Sequence, residues 1–225
     1  MKNLSLAVGV MAVATVTTGN ARAADMGVLA PDTGSYFSIA AGLNNISNGN
    51  ALAPNRAPSA IKFKFHDGLA ASGSLGYRFG GLRTEVELSY RSNGVKNFNS
   101  AAFPLSGHQD DLSFMANALF DFSTGTRFTP YAGVGVGATM LWWREFANAS
   151  STRIVRDTGG TKLAFQAILG LSYALSSEWQ VTLDGRYKGS EGHSFEGVQS
   201  TADNISGFKL RDTTLMVGVR YNFGR

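Results

Sequence analysis

The chain has 225 residues, 27 of them glycine, no cysteine and a formal net charge of +4. Without cysteine, disulfide scaffolds, thiol catalysis and cysteine-ligated metal centres are excluded together. Only 16% of residues are charged, well under the usual quarter, while the apolar share of 44% is ordinary; the combination suits neither an intrinsically disordered chain nor a polytopic helical membrane protein.

The first predicted element is an export signal. Lys2 supplies a positive start, Leu4 to Val16 is an uncharged apolar run, and Ala21-Arg22-Ala23 is a small-x-small site ahead of Ala24-Asp25. Cleavage after Ala23 leaves 24–33 as a short periplasmic segment before a barrel over 34–225. Lys2 and Arg22 depart with the signal, which halves the formal charge and removes the main support for nucleic-acid binding. Beyond it no stretch approaches the roughly 20 apolar residues that a membrane helix needs.

Period-two alternation takes over instead, and it predicts eight strands. Phe37, Ile39, Ala41 and Leu43 share one face of the first, with Tyr36, Ser38, Ala40 and Gly42 on the other. Leu69 to Phe79 and Leu82 to Tyr90 alternate likewise around Gly80-Gly81, a tight hairpin. A fourth strand presents Leu112, Phe114, Ala116, Ala118, Phe120 and Phe122, and a fifth Ala132, Val134, Val136, Ala138, Met140 and Trp142. The sixth runs over Leu163 to Tyr173, the seventh over Val181 to Tyr187, and the eighth over Leu215 to Phe223.

The links alternate in fixed parity between short ones (80–81, 123–127, 176–178) and long polar ones (46–64, 92–109, 144–160, 188–210). Short turns at one end and long loops at the other mark an eight-stranded antiparallel up-and-down transmembrane β-barrel, all-β, with its loops outside the cell. Lipid offers no hydrogen bonds, so only a closed sheet crosses it. Aromatic residues fall at both expected interfaces: Tyr77, Phe79, Phe120, Phe122, Tyr173, Trp179, Tyr221 and Phe223 at the turn end, and Phe63, Phe65, Tyr90, Trp142, Trp143 and Tyr187 at the loop end. The competing reading is a soluble lipocalin-like barrel or β-sandwich, whose apolar face would point inward.

Ser74-Leu-Gly-Tyr-Arg-Phe-Gly-Gly-Leu-Arg-Thr-Glu-Val-Glu-Leu-Ser-Tyr90 resembles the second hairpin of the small opacity-type and surface-antigen outer-membrane β-barrel family. Ala118 to Phe122 followed by Thr129 to Gly137, Leu169 to Tyr173, Trp179 to Tyr187, and the closing Val217-Gly-Val-Arg-Tyr-Asn-Phe223 extend the resemblance over nearly all strands and none of the loops. It implies adhesion or antigen roles at the cell surface. It also implies that the barrel-assembly machinery reads Tyr221 and Phe223, although here Gly224 and Arg225 follow the last aromatic residue.

The polar faces carry Arg78, Arg83, Glu85, Glu87, Arg91, Asp121, Lys162, Gln166, Asp184, Arg186 and Arg220. Eight strands enclose a space that side chains just fill, so these mixed charges are expected to pair into a plug; a narrow pore for small solutes is the alternative. Glu85 and Glu87 match the carboxylate pair of a glycosidase, but Arg83 and Arg91 on the same face favour ion pairing. Gly133, Gly135 and Gly137 are expected to make room for bulky lumen partners such as Tyr131 or the arginines. His193, Ser194 and Glu196 are the one local set that a lipid A-modifying hydrolase could use, and adjacent positions point to opposite sides. No catalytic residue, metal ligand or cofactor site is therefore assigned.

Binding is expected in the loops. Arg56, Lys62 and Lys64 make loop 46–64 basic and, with its prolines and small polar residues, it reads as mobile; with Arg144 and Lys188 these cations suit the phosphates of lipopolysaccharide. Phe103, in the apolar run 101–105, suits contact with lipid or a host protein. The expected protein is a monomeric, non-catalytic surface barrel.

Overall fold

The computed structural model describes residues 33–47, 49–51, 61–97, 106–147, 155–156, 160–191, 193–197, 205–208 and 211–223. Eight long strands carry the alternation: β1 (Thr33–Ile46), β2 (Gly68–Phe79), β3 (Leu82–Asn97), β4 (Ser106–Asp121), β5 (Phe128–Ala147), β6 (Lys162–Ala174), β7 (Trp179–Ser190) and β8 (Arg211–Asn222). Each pairs antiparallel with the next in sequence. The ring closes where β1 meets β8, in register from Tyr36↔Asn222 to Ile46↔Asp212. Closure leaves no row of unpaired backbone groups, the condition for strands to stand in hydrocarbon.

The pleat then sorts the side chains. Large apolar residues face outward and stay exposed, among them Leu69 (69%), Val134 (65%) and Leu43 (61%), while the inward positions are buried and mostly polar. A soluble barrel has the reverse polarity, so the lipocalin-like reading fails on this observation. The link between β2 and β3 is the two-residue turn Gly80-Gly81, where Gly80 has φ +64°, the left-handed conformation that tight hairpins require.

Around the turn end, aromatic side chains touch along single strands and, at Phe128–Tyr173 and Trp179–Tyr221, between neighbouring ones. Ring centroids lie 4.6 Å apart for Tyr77 and Phe79, 5.2 Å for Phe120 and Phe122, 4.8 Å for Phe128 and Tyr173, 4.8 Å for Trp179 and Tyr221, and 5.4 Å for Tyr221 and Phe223. Tilted and edge-on contacts of this kind suit the ring quadrupoles. At the loop end Tyr90 and Tyr187 are exposed and Trp142 is half-buried. Of Trp143 the structure describes the backbone alone.

Strand pairing runs further out than the apolar alternation suggested. β3, β4 and β5 continue through Gly94↔His108 and His108↔Arg144, and segments 49–51 and 61–65 form a hairpin that joins β3 at Lys64↔Asn97. Segment 193–197 pairs with 205–208 and with 155–156. The stretches read as loops 46–64, 92–109, 144–160 and 188–210 therefore hold β-structure among their described residues. Once strands leave the lipid their outward side chains turn polar, so hydrogen bonding persists after the hydrophobic signal has ended. The export signal, Arg56 and Phe103 lie outside the described residues.

Candidate functional site

The inward positions of the strands meet in the lumen, where six cations (Arg78, Arg83, Arg91, Arg186, Lys188, Arg220) and six carboxylates (Glu85, Glu87, Asp111, Asp121, Asp184, Asp212) are all buried. An unpaired buried charge is expensive, so the question is how they pair.

Toward the turn end, Arg83 on β3 reaches Asp121 on β4 with its Nε 2.8 Å from both carboxylate oxygens, and Arg78 Nη2 lies 3.3 Å from Asp121 Oδ2. Arg83 Nη1 donates to the Tyr36 hydroxyl (3.1 Å), which donates in turn to Glu85 Oε2 (2.7 Å). The Arg83 guanidinium lies 5.4 Å from the Tyr36 ring centre and 5.1 Å from that of Tyr131; Arg220 lies 5.2 and 5.6 Å from the same two rings. Two arginines thus share two aromatic faces, which offsets part of their repulsion. Arg220 also donates to Gln180 Oε1 (3.0 Å).

One step outward, Arg186 bridges Glu87 and Asp184 at 2.5 Å each. Tyr131 donates to Asp184 Oδ2 (3.0 Å), and Asn117 donates to Glu85 Oε1 (3.0 Å) while accepting from Gln166 (2.7 Å). Nearer the loops, Lys188 pairs with Asp111, donates to Ser113 (2.9 Å) and lies 3.6 Å from Asp212 Oδ2. Arg91 lies 3.4 Å from Asp111 Oδ1 and 3.5 Å from Asp212 Oδ1. Among Ser38, Thr182, Arg186 and Arg220 there remains a cavity of about 20 Å³, room for about one water molecule.

Glycine spacing makes this packing possible. A Cβ on Gly76 would stand 2.3 Å from Tyr36 Cζ, and one on Gly170 2.3 Å from Tyr131 Cζ. The glycines expected to serve Tyr131 or the arginines serve other neighbours: Gly133 faces Leu119, Gly135 faces Asn117, and Gly137 faces Met115 and the backbone of β4. Gly170→Leu is expected to cost about 1–3 kcal/mol by overpacking against the Tyr131 ring; chemical denaturation of the variant and of wild type in lipid vesicles checks it.

The structure places Arg78, Arg83, Glu85, Glu87, Arg91, Asp121, Gln166, Asp184, Arg186 and Arg220 in the buried lumen, whereas Lys162, facing inward at the start of β6, is half-exposed. Lys188 is a correction. Expected as an external cation toward lipopolysaccharide, it is fully buried (0%) between two carboxylates. Asp111, Asp212, Tyr36 and Asn117 were not singled out from sequence, although their parity with Ser113, Thr214, Ser38 and Leu119 puts them on the inward face. Of Lys62, Lys64 and Arg144 the backbone alone is described.

A closed eight-stranded ring, apolar outside and charged inside, with an aromatic girdle at its trimmed end, defines a transmembrane β-barrel of the Gram-negative outer membrane. The family model of the outer membrane protein beta-barrel domain matches residues 6–223, and the chain belongs to that family. Among solved structures it is similar to the outer membrane protein OprG of Pseudomonas aeruginosa, with 16% identity over 86% of this chain and 98% of that one and a TM-score of 0.60. It is also similar to the outer membrane protein AlkL, solved in lipid bilayers, with 16% identity over 93% and 98% and a TM-score of 0.57. Neisserial surface protein A is a weaker likeness, 19% identical over 83% and 97% with a TM-score of 0.48. Among curated proteins, no sequence matches.

Proposed function

We propose that this protein is a non-catalytic surface protein, a monomeric barrel that holds four loops outside the cell and works through them. The observation that carries the reading is the crowding of the lumen: six cations and six carboxylates are buried on its inward faces, and a cavity among them has room for about one water. Paired charges crowded in this way oppose the passage of solutes, which directs the reading to the loops. Their cations, Arg56, Lys62, Lys64 and Arg144, suit the phosphates of lipopolysaccharide in the outer leaflet. Phe103 offers an apolar contact for a host-cell or other surface protein.

Two measurements test this. The mature protein, refolded into a planar bilayer after a heat-dependent gel shift has shown a folded barrel, is expected to be electrically silent; reproducible discrete conductance steps would replace this reading with a narrow pore. Pruning 52–60 and 98–105, which leaves the paired strand ends in place, is expected to keep the gel shift while weakening attachment to immobilised lipopolysaccharide and to cultured host cells. Undiminished attachment to both would sink the loop reading.

A further inference from the structure

The lumen charges do not form one network. Hydrogen bonds and ion pairs among the described residues gather into two storeys. The inner one joins Arg78, Arg83, Glu85, Glu87, Asp121, Asp184 and Arg186 through Tyr36, Tyr131 and Asn117, with Arg220 stacked against the same rings. The outer one joins Arg91, Asp111, Lys188 and Asp212. Each storey is neutral by itself, four cations against four carboxylates within and two against two without. No inter-storey pairing is therefore required for either to persist.

Between them stand methionines. On β4, Met115 separates Ser113 of the outer storey from Asn117 of the inner; on β8, Met216 follows Thr214, and both methionines are fully buried. On β7 the storeys abut, and the side chains diverge: Arg186 turns to Glu87 and Asp184, Lys188 to Asp111 and Asp212. Each storey also ties opposite walls, Arg186 joining β7 to β3 and Lys188 joining β7 to β4, so each by itself spans the lumen.

Building on the sealed-lumen reading above, we propose that the lumen carries two independent seals in series, and that ions pass only when both are broken. The methionine layer is then a dry compartment that becomes reachable from one side at a time.

The test uses the absence of cysteine in the chain, which makes a single introduced thiol specific. Met216→Cys is placed in the wild-type background, in an outer-storey variant (Arg91→Ser, Asp111→Ser, Lys188→Ser, Asp212→Ser) and in an inner-storey variant (Arg83→Ser, Glu85→Ser, Glu87→Ser, Arg186→Ser) that removes the tie from β7 to β3, each charge-balanced and each required to show the heat-dependent gel shift. A small charged methanethiosulfonate added outside intact cells is expected to label the thiol only in the outer-storey variant. Planar-bilayer recordings are expected to be silent for wild type and for each variant, with discrete steps only when both sets are combined. Conductance of either variant alone, labelling in the wild-type background, or silence of the combined variant would overturn the proposal. Conductance of wild type would instead defeat the sealed-lumen reading on which it rests. Where a four-residue variant fails the gel shift, the charge-balanced pairs Asp111→Ser/Lys188→Ser and Glu87→Ser/Arg186→Ser take its place, with the same expected pattern of labelling and the same overturning results.

Discussion

Replacing Arg186 with methionine is expected to destabilise the folded barrel by about 3–5 kcal/mol, because it leaves two buried carboxylates without their cation. Arg186 lies 2.5 Å from both Glu87 Oε2 and Asp184 Oδ1, and among the described residues no other cation lies within 4 Å of either. The measure is the urea midpoint of folding in lipid vesicles, with an unchanged denaturant slope showing that stability moved and not the extent of unfolding. Two controls separate stranded charge from lost bulk. The neutralised set Arg186→Met/Glu87→Gln/Asp184→Asn is expected to recover most of the loss, since amide oxygens still accept from Asn117 and Tyr131. Arg220→Met is expected to cost less than Arg186→Met, because Arg220 rests on the Tyr36 and Tyr131 rings and a neutral Gln180 oxygen and strands no paired carboxylate. If Arg220→Met costs as much as Arg186→Met, ion pairing is not what holds the lumen.

Much of this arrangement was legible in the chain, for a physical reason. A strand that separates lipid from a packed lumen must alternate, so the outward series of Leu75, Tyr77, Val86 and Leu88 announces its partner series Arg78, Arg83, Glu85 and Glu87. Closure followed from the parity of short and long links. What did not show was where pairing ends. The alternation marks hydrocarbon, not hydrogen bonding, and it fades at Tyr90, Leu112, Tyr187 and Leu215. Lys188 lies just beyond Tyr187 in the link read as loop, and Asp111 and Asp212 lie just short of the apolar runs that mark β4 and β8, yet their strands keep the same inward parity and bring the three together. The pairing of Lys188 with Asp111 needs a register between β4 and β7, two strands that are not neighbours, and no single-chain pattern encodes it. Gly76 and Gly170 likewise read as ordinary small residues until the Tyr36 and Tyr131 rings are seen lying across them.

The second large effect is expected on the opposite face of the wall, and there the size of the effect identifies the surroundings. Val134 points outward, is 65% exposed and sits about midway along β5 between Phe128 and Trp142. On a wall facing water, exchanging such a valine for arginine would fall within about ±0.5 kcal/mol, as surface substitutions usually do. On a wall facing hydrocarbon, Val134→Arg is expected to cost about 2–4 kcal/mol, falling to about 0–1 kcal/mol for the same exchange near an interface. Leu82→Arg supplies that comparison: Leu82 is also exposed (45%) but opens β3 directly after Gly80-Gly81, at the level of the Phe79 and Phe120 rings. The folding free energies of both variants in phospholipid vesicles, each set against wild type, give the depth dependence directly. A large cost at Val134 with little at Leu82 places the hydrocarbon against the middle of the strands and the girdle at its edge. Equal small costs at both would mean that this apolar face does not stand in lipid, and the reading of the barrel as a membrane-spanning wall would fall with it.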